Sequence, residues 1–137
     1  MTTIKQSAAI LFGAISLAAL ATHATAAGFK PGPYTMQLFS GPDHQALDPT
    51  CVTFVKTGGV VDFKSSGTWS VGDTIAGNYV ADGKDLRWYG VRTGSQIALN
   101  FHGDVRTGKG GFDLWLFSDS PITAGDDGTL TLTKGCD

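Results

Sequence analysis

The chain has 137 residues, a formal charge of −2 at pH 7, and 42% hydrophobic residues. That length holds one domain with a modest core, and ten Lys and Arg scattered among twelve acidic residues exclude the basic footprint of a nucleic-acid reader. The acidic residues are all Asp, beside 19 Gly; Asp and Gly favour turns whereas Glu favours helices, so long helices are excluded as well.

The N-terminus reads as an export signal. Met1 to Lys5 carries positive charge, Ala8 to Leu20 is an uncharged apolar run, and Ala24-Thr25-Ala26 places small residues where a signal peptidase cuts. The run falls short of the roughly 20 apolar residues that a spanning helix needs. The expectation is a signal peptide over 1–26 and a single domain over 27–137, located in the periplasm or outside the cell, with no membrane insertion after cleavage. In such a compartment Cys51 and Cys136, the two cysteines present, form a structural disulfide.

From Pro33 onward, short segments rich in Val, Ile, Phe, Tyr, Trp and Thr alternate with Gly and Asp every eight to twelve residues or so, the pattern of a β-sandwich or barrel. Strands are expected near Tyr34–Ser40, Cys51–Lys56, Val60–Ser65, Thr68–Val71, Ile75–Ala81, Asp85–Arg92, Ser95–Gly103, Phe112–Ser118 and Thr129–Lys134. Gly41–Thr50 and Asp119–Gly128 read as the two long connections. The fold class is therefore all-β: a small antiparallel meander barrel or sandwich of eight to nine strands with one disulfide. An outer-membrane barrel is excluded, because most strands are shorter than the 9 to 11 residues a span takes and their outer faces are polar.

Hairpin chemistry sets a register. A two-residue Asp82-Gly83 turn puts Tyr79 opposite Leu86 and Gly77 opposite Trp88; a Thr93-Gly94 turn puts Trp88 opposite Leu99, Gly90 opposite Ile97 and Leu86 opposite Phe101. A three-residue Gly72-Asp73-Thr74 loop puts Trp69 opposite Gly77, so that Gly77 lies between Trp69 and Trp88. The predicted core is Trp69, Gly77, Tyr79, Leu86, Trp88, Ile97, Leu99 and Phe101, with Arg87, Tyr89, Gln96, Ala98 and Asn100 on the other face. The strand from Phe112 is apolar on both faces, Trp115 and Phe117 pointing away from Phe112, Leu114 and Leu116; coverage of the second face by a loop or the N-terminal segment is expected.

Gly67-Thr68-Trp69 and Gly77-Asn78-Tyr79 resemble the G-x-W and G-x-Y elements of calycin barrels, the lipocalin and avidin group of small-ligand binders. The resemblance covers about a dozen residues, and in those families G-x-W opens the first strand, so it implies a ligand-holding barrel in outline and assigns no site residue.

Chemistry-bearing motifs are few. His44 and His102 stand in no metal-ligand spacing, Asp82 with Asp85 and Asp126 with Asp127 match no calcium loop, and there is no nucleophile elbow. Asp62 and Asp113 lie inside predicted strands, where Asp is disfavoured, and are expected to face solvent. No catalytic residue, metal or cofactor is expected. The better lead is exposed aromatics beside cations: Arg87, Tyr89, Arg92 and Trp115 are the ligand-binding candidates. The functional expectation is an exported, non-enzymatic binding protein for a small ligand or a protein partner, in the manner of an inhibitor. The alternative is a carbohydrate-binding or adhesive module using exposed Trp and Tyr; a small secreted hydrolase comes third.

Overall fold

The computed structural model describes residues 28–58, 65–117 and 123–137. Alternating apolar and polar residues, punctuated by Gly and Asp, form nine strands: β1 (Gly32–Ser40), β2 (Gln45–Ala46), β3 (Thr50–Lys56), β4 (Ser65–Val71), β5 (Ile75–Asp82), β6 (Asp85–Arg92), β7 (Ile97–Asp104), β8 (Lys109–Leu116) and β9 (Thr123–Lys134). The order is β2-β1-β3-β4-β5-β6-β7-β8-β9, and β1 also pairs with β9. The sheet thus closes on itself as an eight-stranded antiparallel meander barrel, with the two-residue β2 outside it on the end of β1. Of the two architectures left open by the sequence, it is the barrel.

The expected strand Val60–Ser65 lies outside the described residues except for Ser65, which opens β4, as do residues 1–26 and Asp62. At the other end β9 begins at Thr123, six positions earlier than expected. Ala-Gly-Asp-Asp-Gly is a poor strand sequence, but pairing with β8 holds it extended, and a bulge at Leu114/Trp115 absorbs the irregularity.

The β4–β5 loop is Gly72-Asp73-Thr74, and Trp69 faces Gly77 as expected. The next two hairpins keep the predicted parity but slip by two residues. Asp82 pairs with Asp85, so the turn is Gly83-Lys84, and Tyr79 faces Trp88 rather than Leu86. Beyond it the connection lengthens to Thr93–Gln96, and Trp88 faces Phe101 rather than Leu99. Gly77 consequently lies between Trp69 and Gly90, not between two tryptophans. This Gly–Gly pair lets β5 and β6 approach closely: a Cβ on Gly77 would fall 2.6 Å from Gly90 Cα, and one on Gly90 would meet Trp69 Cζ2 at 2.9 Å. The Trp69 ring occupies the space so freed, and its Nε1–H donates to the Tyr89 carbonyl at 2.9 Å.

Inward-facing side chains fill the barrel. Trp69, Tyr79, Leu86, Trp88, Leu99 and Phe101 are buried as predicted, joined by Met36, Val52, Phe54, Phe112 and Leu130, while Ile97 is half-buried near the rim. Trp88 stacks on Phe101 with centroids 5.1 Å apart and meets Phe54 edge-on. Trp88 Nε1 is buried without a hydrogen-bond partner among the described residues. Phe29, ahead of β1, lies edge-on to Phe54 and Tyr79 and plugs the end of the barrel where β5 ends and β6 begins.

Cys51 and Cys136 form the expected disulfide, with Cα atoms 5.6 Å apart. Thr35 of β1 faces both Cys51 on β3 and Thr133 on β9, so the bridge spans β1 and ties together its two neighbours. The C-terminal strap is further held by Thr35 Oγ1 donating to the Gly135 carbonyl and Gly135 N–H donating to that of Pro33.

Candidate functional site

A packed barrel leaves the mouth little capacity. The space at the plugged end, lined by Phe29, Tyr34, Leu86, Val105 and Leu132, has a volume of about 30 Å³, room for a water molecule. A drug-sized ligand occupies a pocket of roughly 300 Å³ or more.

The outer wall offers more. Strand parity turns four residues of each of β5 to β8 outward, and the register aligns them in four rows. Asp82, Asp85, Asp104 and Lys109 form the row nearest the plugged end. Val80, Arg87, His102 and Gly111 come next, then Asn78, Tyr89, Asn100 and Asp113, and lastly Ala76, Val91, Ala98 and Trp115. The wall therefore grades from charged to polar to apolar along the barrel axis.

Asp113 organises the polar end of this gradient. Its Oδ2 accepts a hydrogen bond from Asn100 Nδ2 at 3.1 Å and another from the indole Nε1–H of Trp115, two residues along the same face. The second bond leans the indole along the strand and fixes its orientation. Trp115 remains 38% exposed, Tyr89 54%, Val91 59% and Phe117 46%. The described residues do not supply the expected coverage of this face, which leaves Trp115 and Phe117 exposed.

Between Tyr89 and the charged row runs a groove of about 600 Å³, lined by Arg87, Tyr89, Asn100, His102, Lys109 and Asp113. Under His102 on β8 lies Gly111, where a Cβ would meet His102 Cε1 at 2.8 Å, so a glycine there lets the imidazole lie across onto β8. Two of the three acids of the charged row are already matched; Asp82 has no basic partner among the described residues. Arg106 forks onto Asp104, Nη2 to Oδ2 at 2.8 Å and Nε to Oδ1 at 3.2 Å, and these hydrogen bonds hold the Asp104 carboxyl well below the usual carboxylate range. Lys84 Nζ lies 3.0 Å from Asp85 Oδ1. Arg87 and Lys109 form no ion pair among the described residues.

Of the four candidates, Arg87, Tyr89 and Trp115 share this wall. Arg92 does not join them: it ends β6 on the parity of Leu86, Trp88 and Gly90 and is exposed on the barrel rim. Asn100, His102, Lys109 and Asp113 complete the surface. Row alignment is the signal that finds them, since each stands directly across the sheet from an outward residue of a neighbouring strand. His44 is exposed in the turn after β1, remote in register from the wall. Among the described residues no three His, Cys, Asp or Glu side chains are grouped to hold a metal ion.

No family model, curated protein or solved structure matches this chain.

Proposed function

We propose that the protein is an exported binding module that holds a glycan against the outer wall of β6 to β8. One observation carries the reading: Trp115 is exposed, yet its indole N–H is tied to Asp113, which also receives Asn100. A flat aromatic of fixed orientation beside planar amide and carboxylate groups suits a sugar ring, which offers one C–H face and a rim of hydroxyls. Pre-setting the indole lowers the entropy lost on binding. Tyr89 supplies a second aromatic across β7. The disulfide is compatible with an exported protein.

The test is isothermal titration calorimetry of residues 27–137 with glycans selected on an array, for the wild type and for Trp115→Ala and Tyr89→Ala. Losing the contact area of one aromatic is expected to weaken binding about tenfold to hundredfold. The proposal fails if the wild type binds no glycan, or if Trp115→Ala binds as well as the wild type.

A protein partner is the second reading, favoured by the apolar row of Val91, Ala98 and Trp115 continued by Phe117, whose amide donates to the Gln96 carbonyl. Val91→Asp separates the two: it puts a charge into the apolar row, which a protein contact would not tolerate and a glycan seated at Trp115, Asp113 and Tyr89 would.

A further inference from the structure

We infer that the glycan is acidic, a chain carrying uronic-acid carboxylates, and that Arg87 and Lys109 read those carboxylates; this rests on the glycan reading above. The argument is one of charge accounting along the groove. Six Asp, Arg, Lys or His side chains line it: Asp85, Arg87, His102, Asp104, Lys109 and Asp113. Asp85 and Asp104 are neutralised from outside the groove by Lys84 and Arg106, the latter through a two-bonded fork. Asp113 is engaged at Oδ2 by Asn100 and Trp115, toward the apolar row. Arg87 and Lys109 are left as exposed cations without a carboxylate partner among the described residues, with the His102 imidazole on β7 between their strands.

An unmatched guanidinium in a shallow groove is a socket for a planar anion. Its fork accepts a carboxylate through two parallel hydrogen bonds, which distinguishes it from the point charge of a lysine. Arg87 lies one row from Tyr89 on the same strand face, two residues away, so a sugar ring resting on Tyr89 can direct a ring carboxylate toward Arg87. Lys109, one row further and two strands across, then meets a carboxylate on the next sugar along the groove.

The experiment uses residues 27–137 and short oligomers of galacturonate, glucuronate and mannuronate, each paired with its own methyl ester, which keeps the backbone and removes the charge. The wild type is expected to bind at least one acid form about tenfold more tightly than its ester, with the preference shrinking as salt is raised from 50 to about 300 mM. Arg87→Gln is expected to abolish most of that preference by weakening acid binding far more than ester binding, and Lys109→Gln to reduce it. Equal affinity for acid and ester, or a preference that survives Arg87→Gln, overturns the inference and leaves the glycan reading standing if Trp115→Ala still weakens binding. Absence of binding to every oligomer and ester, together with no hit on a neutral glycan array, overturns both. Sulfated oligosaccharides bound in preference to uronates also overturn it, since the group read would then be a sulfate and not a carboxylate. Arg87 and Lys109 are exposed, so both variants retain the fold, as near-ultraviolet circular dichroism of the buried tryptophans will report.

Discussion

Replacing Gly77 by Ala tests how the barrel wall is built. The added methyl would sit 2.6 Å from Gly90 Cα and closer still to the Tyr89 carbonyl, both backbone atoms of β6 that no rotamer change can move aside. Restoring ordinary contact separates β5 from β6 by roughly 1 Å, an overpacking distortion that costs about 1 to 3 kcal/mol. The same displacement pulls the Tyr89 carbonyl from Trp69 Nε1, removing a largely buried hydrogen bond worth about 1 kcal/mol. The expected destabilisation is therefore about 2 to 4 kcal/mol, a drop in melting temperature of roughly 10 to 20 °C for a domain of this size. Urea denaturation followed by tryptophan fluorescence measures it, with Asn78→Ala on the outer face of the same strand as a control expected within about 0.5 kcal/mol of the wild type. A Gly77→Ala variant as stable as that control would refute the close strand approach and the seating of Trp69 over Gly90.

The double variant Cys51→Ser/Cys136→Ser opens a loop with a sequence separation of 85, for which chain entropy gives a ceiling of about 4.5 kcal/mol. Hydrogen exchange should show protection lost first in β1 and β9; equal loss in β5 and β6 would refute a role at the closure. Asp104 is expected to titrate below the usual carboxylate range in carboxyl-carbon NMR, and Arg106→Gln to return it there. Because the folded value is depressed, the stabilisation is fully present above the unfolded value of about 3.9 and is lost as the pH falls through the lower folded value. The stability gap between wild type and Arg106→Gln should thus be widest near neutrality and close in strong acid; a gap that widens on acidification would be inconsistent with the ion pair.

Strand identity and side-chain direction were legible because one buried face imposes a period of two. That same period conceals a slip of two residues: Tyr79 opposite Leu86 and Tyr79 opposite Trp88 satisfy the alternation equally well. Choosing between them required knowing that the turn is Gly83-Lys84, with Gly83 at φ 58°, rather than Asp82-Gly83, a distinction that composition does not make. Closure was not legible either, since pairing Thr35 with Thr133 is a long-range event with no local signal. At the candidate site, Arg87, Tyr89 and Trp115 were visible as residue types. Arg92 was grouped with them by residue type, although alternation along β6 sets it on the parity of Leu86, Trp88 and Gly90. Asp113 was flagged as an oddity within a strand, and the structure gives the reason: it anchors Asn100 and Trp115.

The closure of the barrel through β1 also orders events in time. The hairpins from β4 to β8 join neighbours in sequence and can form within microseconds, whereas β1 must wait for β9, which is made after all of them. During that wait one edge of β1 is covered by β3 and β2, while the edge that will receive Leu130 and Leu132 stays bare. This is the interval in which the chain is most open to strand addition by another molecule. With two cysteines there is a single intramolecular bridge to make, so early oxidation cannot trap a wrong pairing. It can only hold the two ends near each other and shorten the search that completes the ring.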